Sequence, residues 1–196
     1  MMFRGLSGNI GFEPRRTALT IEGGQFLFMP ENGGPARCFN HLAGELVRAT
    51  YDETAGSFLF LFRTGAGRDV TLSVPADTGP AVGLILSLAS VKGFAGCTLG
   101  VDVTPDETPR GTFTKVTVTA GGKKVPWARE PEDIPPVARR EHNGRTVIDA
   151  SARIAVLKGL ADTISERIAD GGARAAADDE PWRVAPDIDD VPEGLE

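Results

Sequence analysis

Cysteine is scarce in this chain, with only Cys38 and Cys97 among 196 residues. That excludes a small scaffold held by disulfides and matches the usage of a reducing compartment. Long apolar runs are absent too. The longest spans residues 81–89 and is interrupted by Gly83 and Ser87, too broken for a membrane helix. The opening stretch, MMFRGLSGNIGFEPRR, holds no apolar block of the kind a secretory leader needs. These absences predict a cytoplasmic chain with no membrane contact. Histidine is nearly missing: His41 and His142 stand far apart, and neither lies in a His-Glu-x-x-His or nucleophile-elbow setting. Cys38 and His41 have the spacing of a metal pair, and Cys97 with His142 would complete four ligands. Zinc sites normally show two close pairs, however, and here only one pair is close. The glycine pairs lack the Gly-Lys-Ser/Thr ending of a phosphate loop. No catalytic residue, metal or cofactor is expected, so the chain reads as a binding protein and not an enzyme.

Glycine and proline are plentiful, 24 and 14 residues, which argues for short strands joined by tight turns and against a helical bundle. Charge is unevenly spread. The stretch from Asp178 to Glu196 carries eight acidic residues and one arginine, a charge of −7, which leaves residues 1–177 at +1 out of the total of −6. A nearly neutral body bearing an acidic tail is judged for anion binding by its body alone.

Period-two patterns predict strands at 17–21 and 25–29 around Glu22-Gly23-Gly24, then at 45–51, 57–63 and 69–74. Residues 79–91 change period: Val82, Ile85, Leu86 and Ala89 fall at helical spacing behind Pro80, and Gly93 and Gly96 end the run. Strands resume at 97–103 and 112–119, and Ala120-Gly121-Gly122 turns the chain into 123–127. Pro131, Pro135 and Pro136, behind Pro126, mark 128–146 as a stiff linker. Val147, Ala150, Ile154, Leu157, Ala161, Ile164 and Ile168 then form one helical stripe over 147–168, capped by Asp149 or Thr146 and ended by Gly171-Gly172. The expected organisation is an N-terminal hairpin and loop (1–44), a β core (45–127), the linker (128–146), an amphipathic helix (147–170) and a disordered acidic tail (171–196). Three strands, a helix and two strands is the order of the five-stranded OB-fold barrel, with its helix between strands 3 and 4. A β-sandwich and an α+β sheet with one covering helix remain alternatives. The helix stripe is expected to dock on the barrel. Ile154, Leu157, Ile164 and Ile168 would otherwise serve a homo-oligomer.

Binding chemistry concentrates in 110–129. Arg110, Lys115, Lys123, Lys124 and Arg129 occur there with no acidic residue, interleaved with Phe113 and Trp127. Cations that track phosphates and rings that stack on bases are what a single-stranded nucleic acid groove needs. Alternation puts Phe113, Lys115, Thr117 and Thr119 on the outer face of their strand, with Val116 and Val118 inward. The bland alternative is a solvated hairpin whose lysines protect an edge. In the second unusual segment, Phe58, Phe60 and Phe62 share one strand face and Leu59 and Leu61 the other. That segment predicts either a core strand or a stacking platform with Phe60 exposed and Arg63 and Arg68 at its end. Tyr51 and Phe94 are weaker stacking candidates.

Together these residues resemble single-stranded DNA-binding proteins of the phage or bacterial replication type, which join an OB-fold to an acidic C-terminal tail. The resemblance covers the strand order from Glu45 to Trp127 and the tail from Asp178 to Glu196. It extends to Gly122-Lys123-Lys124-Val125-Pro126-Trp127 after the last barrel strand. Asp187-Ile188-Asp189-Asp190-Val191-Pro192 is similar to the Asp-Asp-Ile-Pro-Phe type of tip, although this chain ends Glu-Gly-Leu-Glu without a terminal Phe. The resemblance implies non-sequence-specific binding of single-stranded DNA in replication, recombination or repair. Phe60, Arg63, Arg68, Phe113, Lys115, Lys123, Lys124 and Trp127 would be the DNA contacts. Asp187, Ile188, Asp189, Asp190 and Val191 would recruit replication and repair proteins or gate the groove. Two other readings remain: a phage virion or assembly protein with a β-rich core, and a processing enzyme with OB architecture whose activity would depend on His41 or a carboxylate.

Overall fold

The computed structural model describes residues 17–30, 33–109, 111–142 and 145–178; the tail residues 187–191 lie outside it. The chain begins with a hairpin, β1 (Thr17–Glu22) and β2 (Gln25–Phe28), turned by Gly23 and Gly24 at φ of 55° and 76°. Then follow β3 (Arg37–Phe39), β4 (His41–Asp52), β5 (Ser57–Arg63), β6 (Asp69–Pro75), α1 (Gly79–Ala89), β7 (Thr98–Thr108), β8 (Gly111–Ala120) and β9 (Lys123–Lys124). These nine strands form one sheet in the order β3-β2-β1-β6-β5-β4-β7-β8-β9. Every neighbouring pair is antiparallel except β1 with β6.

The fold is mainly β, as the composition predicts, but the sheet is open, with edges at β3 and β9, and is not a closed five-stranded barrel. The N-terminal hairpin is the reason. Expected as an addition to the core, it instead extends the sheet through the parallel pairing of β1 with β6, from Thr17↔Val70 to Leu19↔Leu72. The sheet nevertheless rolls. Only Asn40 separates the edge strand β3 from β4, the sixth strand in the order. The Asn40 carbonyl accepts the Val103 N–H at 2.9 Å, and its side-chain oxygen accepts from Gln25 Nε2 at 3.4 Å. At the hairpin tip the approach is close enough that a Cβ on Gly24 would lie 2.5 Å from the Pro105 nitrogen.

Phe58, Phe60 and Phe62 all point into the roll and are fully buried, with Leu72, Val74, Leu99, Val101 and Val118 around them. Phe60 is therefore a core residue and not a stacking platform: a ring with no exposed surface offers no face to a base. Both faces of β5 are apolar, and only the depth of burial separates them, since Leu59 and Leu61 on the other face are half-buried. Phe94, also at 1% exposure, drops out as a stacking candidate for the same reason.

α1 fills the middle of the structure. It is apolar nearly all round, with Ala81 and Gly83–Ala89 buried, which is the pattern of a helix covered on every side. Thr78 caps its start, accepting the Ala81 N–H, and Pro80 stands in the first turn. Its C-terminal carbonyls receive a cation from another helix: Arg167 Nη1 donates to the Ala89 and Val91 carbonyl oxygens at 2.6 and 3.2 Å.

That arginine belongs to α2 (Ser151–Asp178), which follows a short 3-10 turn (Pro131–Asp133) and a hairpin of β10 (Ala138–His142) and β11 (Arg145–Asp149). The residues expected as a linker thus contain a hairpin, and Val147 lies in β11. The helix begins later than its stripe suggests, where Asp149 Oδ1 accepts the Ser151 N–H at 3.0 Å. It also runs past Gly171-Gly172, so the segment from 171 opens in helix. Gly171 serves close packing and not termination, because a Cβ there would sit 3.3 Å from that of Ala95. The stripe docks: Leu157, Ala161 and Ile164 are buried, with Ile154 and Ile168 partly buried against the same core. Leu157 and Ile164 are consequently unavailable to a second copy. β4 pairs with β7 only over residues 41–45, and α2 lies beside the uncovered remainder, where Ser165 Oγ donates to the Ala49 carbonyl. No helix among the described residues is long and apolar enough to cross a membrane.

The Arg167 contact joins the two helices at carbonyls that receive no other cation among the described residues, and charged hydrogen bonds of this kind contribute about 1.5–3 kcal/mol. Arg167→Ala is expected to lower the unfolding free energy by an amount in that range, read as a urea midpoint lower by roughly 1 M at an unchanged m-value.

Candidate functional site

The basic aromatic segment builds a cleft against α1. In β8, Val116 and Val118 turn inward under the helix, while Phe113 stays 52% exposed and Lys115 is exposed, as their alternation predicts. Gly121 and Gly122, at φ of 56° and 75°, reverse the chain into β9. Two backbone hydrogen bonds then lay the next residues over the helix. The Val125 N–H reaches the Val118 carbonyl at 2.8 Å, and the Ala128 N–H reaches the Leu86 carbonyl at 2.9 Å. Trp127, between these anchors, is held near Gly83 and remains 45% exposed. The result is a cleft of about 360 Å³ between α1 and β8, lined by Gly79, Gly83 and Ser87 of the helix, Phe113 to Thr117 of the strand, and Asp106, Lys124 and Trp127.

Four of the eight expected DNA contacts therefore meet: Phe113, Lys115, Lys124 and Trp127. The other four do not. Phe60 is in the core. Lys123 is exposed on β9 but does not line the cleft. Arg63 and Arg68 sit at the β5–β6 turn, with β4 and β7 between them and β8, about 14 Å at the usual strand spacing. Arg63 is also engaged, with Nε 3.4 Å from Asp69 Oδ1. Neither Lys115 nor Lys124 has an ion-pair partner among the described residues. Asp106, opposite Phe113 in the β7–β8 ladder, puts one carboxylate on the cleft wall.

Sequence reasoning missed Asp106, Gly83 and Ser87 as lining residues. The i, i+4, i+8 spacing of Gly79, Gly83 and Ser87 is a visible stripe of small residues on α1, and it leaves the gap that the rings border. It also missed the pairing of His41, whose Nδ1 lies 2.7 Å from Asp102 Oδ1 across the β4–β7 ladder. His41 is thus tied to a carboxylate and not to Cys38, and no group of three or more metal-binding side chains forms among the described residues. Tyr51, the remaining stacking candidate, is covered by the Lys158 ammonium, 4.7 Å above its ring. The Glu53 carboxylate accepts from that ammonium and holds it above its ordinary pKa.

Gly83 supplies a direct test of the cleft floor. A Cβ there would sit 3.8 Å from that of Val116 and 3.9 Å from Trp127 Cζ2, which is ordinary contact. Gly83→Ala is expected to stabilise the fold by up to about 1 kcal/mol through helix propensity, read as a thermal midpoint roughly 2–4 °C higher. Compared with known proteins, the chain matches no family model, no curated protein and no solved structure.

Proposed function

We propose that this chain binds single-stranded DNA without sequence preference and acts in replication, recombination or repair in the cytoplasm. The observation that carries the reading is the cleft itself, where two half-exposed rings, Phe113 and Trp127, border one space with the ammonium groups of Lys115 and Lys124, unpaired among the described residues. Rings stack on any base and ammonium groups follow the phosphates, a combination that is tolerant of sequence. The run β4, β5, β6, α1, β7, β8, with β4 antiparallel to both β5 and β7, supports an OB-type core that the inserted β1–β2 hairpin holds open. The acidic stretch from Asp178 to Glu196 then recruits partner proteins through Asp187 to Val191, or shields the cations of the cleft.

Fluorescence anisotropy with a labelled oligo-dT across a salt series tests this. Trp127→Ala is expected to weaken binding roughly 5- to 150-fold with an unchanged salt slope, as befits a lost stacking contact. Lys115→Ala combined with Lys124→Ala is expected to flatten the plot of log affinity against log salt by about 1.4, two phosphate contacts on a single strand. Asp106→Asn, which removes the one carboxylate, tightens binding. Wild-type affinity in both the tryptophan and the lysine variants would remove the cleft from the DNA path.

A further inference from the structure

β8 carries an open backbone edge along the same cleft. Val118 accepts the Val125 N–H, so its backbone polar groups point away from β7. The ladder agrees from the other side: Val103, partner of Val116, directs its N–H to the Asn40 carbonyl, toward β4 and away from β8. In an antiparallel strand the N–H and C=O of one residue face the same side, and successive residues alternate. Thr112, Thr114 and Val116 therefore direct theirs outward, like Val118. Pro105, opposite Thr114, suits this assignment, since proline lacks the N–H that a hydrogen-bonded pair requires. β9 pairs only with Thr119 and Ala120, so among the described residues no strand covers the edge from Thr112 to Val116. Thr114 and Val116 both line the cleft.

We infer that a nucleobase seated in the cleft against Phe113 and Trp127 hydrogen-bonds its pairing edge to the outward backbone N–H and C=O of Thr114. The inference rests on the single-stranded DNA reading above and adds how each base is held. An extended edge residue offers one donor and one acceptor side by side. Every base carries an adjacent donor and acceptor on its pairing edge: N3–H and O4 in thymine, N4–H and N3 in cytosine, N6–H and N1 in adenine, N1–H and O6 in guanine. One backbone residue thus serves all four, and hydrogen bonding is gained with no sequence preference. Lys115 and Lys124 complement the flanking phosphates. Two half-exposed rings beside a short open edge favour a planar ligand over an acidic peptide added as a strand, which would use the same edge and the same cations.

The test compares oligo-dT with the same oligomer built from N3-methylthymidine, which keeps the phosphates and the stacking ring but loses the donor. The full 196-residue chain is expected to bind the methylated oligomer roughly tenfold more weakly. Thr114→Pro deletes the outward N–H and leaves the β7 ladder intact, and it is expected to lose roughly tenfold on oligo-dT. Methylation then costs this variant less than it costs the wild type, because the two changes act on one contact. Equal affinity of the wild type for both oligomers, with Trp127→Ala still weakened, overturns the base-edge contact and leaves the single-stranded DNA reading in place. Absence of any oligonucleotide binding by the wild type removes both. A Thr114→Pro variant that loses affinity for poly-glutamate but none for oligo-dT assigns the edge to a peptide strand and overturns the inference.

Discussion

Asn40 links the edge strand β3 to β4, which lies five places further along the sheet, and one residue spans little more than 3 Å. A flat nine-stranded sheet would separate those strands by more than 20 Å at ordinary spacing. The sheet must therefore roll until the β1–β2 hairpin reaches β7, and the contacts of Asn40 with Val103 and of Gly24 with Pro105 mark where it arrives. The rest of the structure follows from that curvature. It gives the Phe58, Phe60 and Phe62 rings an interior to fill, leaves α1 a trough to occupy, and brings the β7–β8 hairpin across the helix.

α1, the helical wall of the cleft, is anchored at both ends and at its middle. Thr78 satisfies its first turn, Arg167 its last, and the Ala128–Leu86 hydrogen bond ties the Trp127 segment to its middle. Small residues on the facing helix turn, Gly79, Gly83 and Ser87, keep the space open that larger side chains would fill.

The sequence made legible what depends on local spacing. The Glu22-Gly23-Gly24 turn, the helical period behind Pro80, and the outward placement of Phe113 and Lys115 all follow from the neighbours of each residue. What depended on sheet order was not legible. Arg63 and Arg68 share a cationic character with Lys115, yet nothing local reveals that two strands lie between them. Phe60 stood in a strand apolar on both faces, where only the path of the remaining chain decides which face is inside. Val147 fits the three-and-four stripe of the following helix by spacing alone, but Asp149 draws the Ser151 N–H into a cap and starts the helix after it. Gly171-Gly172 resembles a stop signal, although the contact with Ala95 gives the first glycine a packing role within the helix.

The late position of α2 has a consequence for how the molecule is made. Its contacts reach far back along the chain: Lys158 to Glu53 across 105 residues, Ser165 to Ala49 across 116, and Arg167 to Ala89 across 78. Such distant contacts are slow to form and cannot precede synthesis of the last quarter of the chain. Until then the second half of β4 presents open backbone groups beside an incomplete apolar core, the kind of edge that recruits other strands. The nascent body is therefore most prone to self-association after the sheet has emerged from the ribosome and before its C-terminal helix has followed, and prompt docking of α2 is what ends that interval.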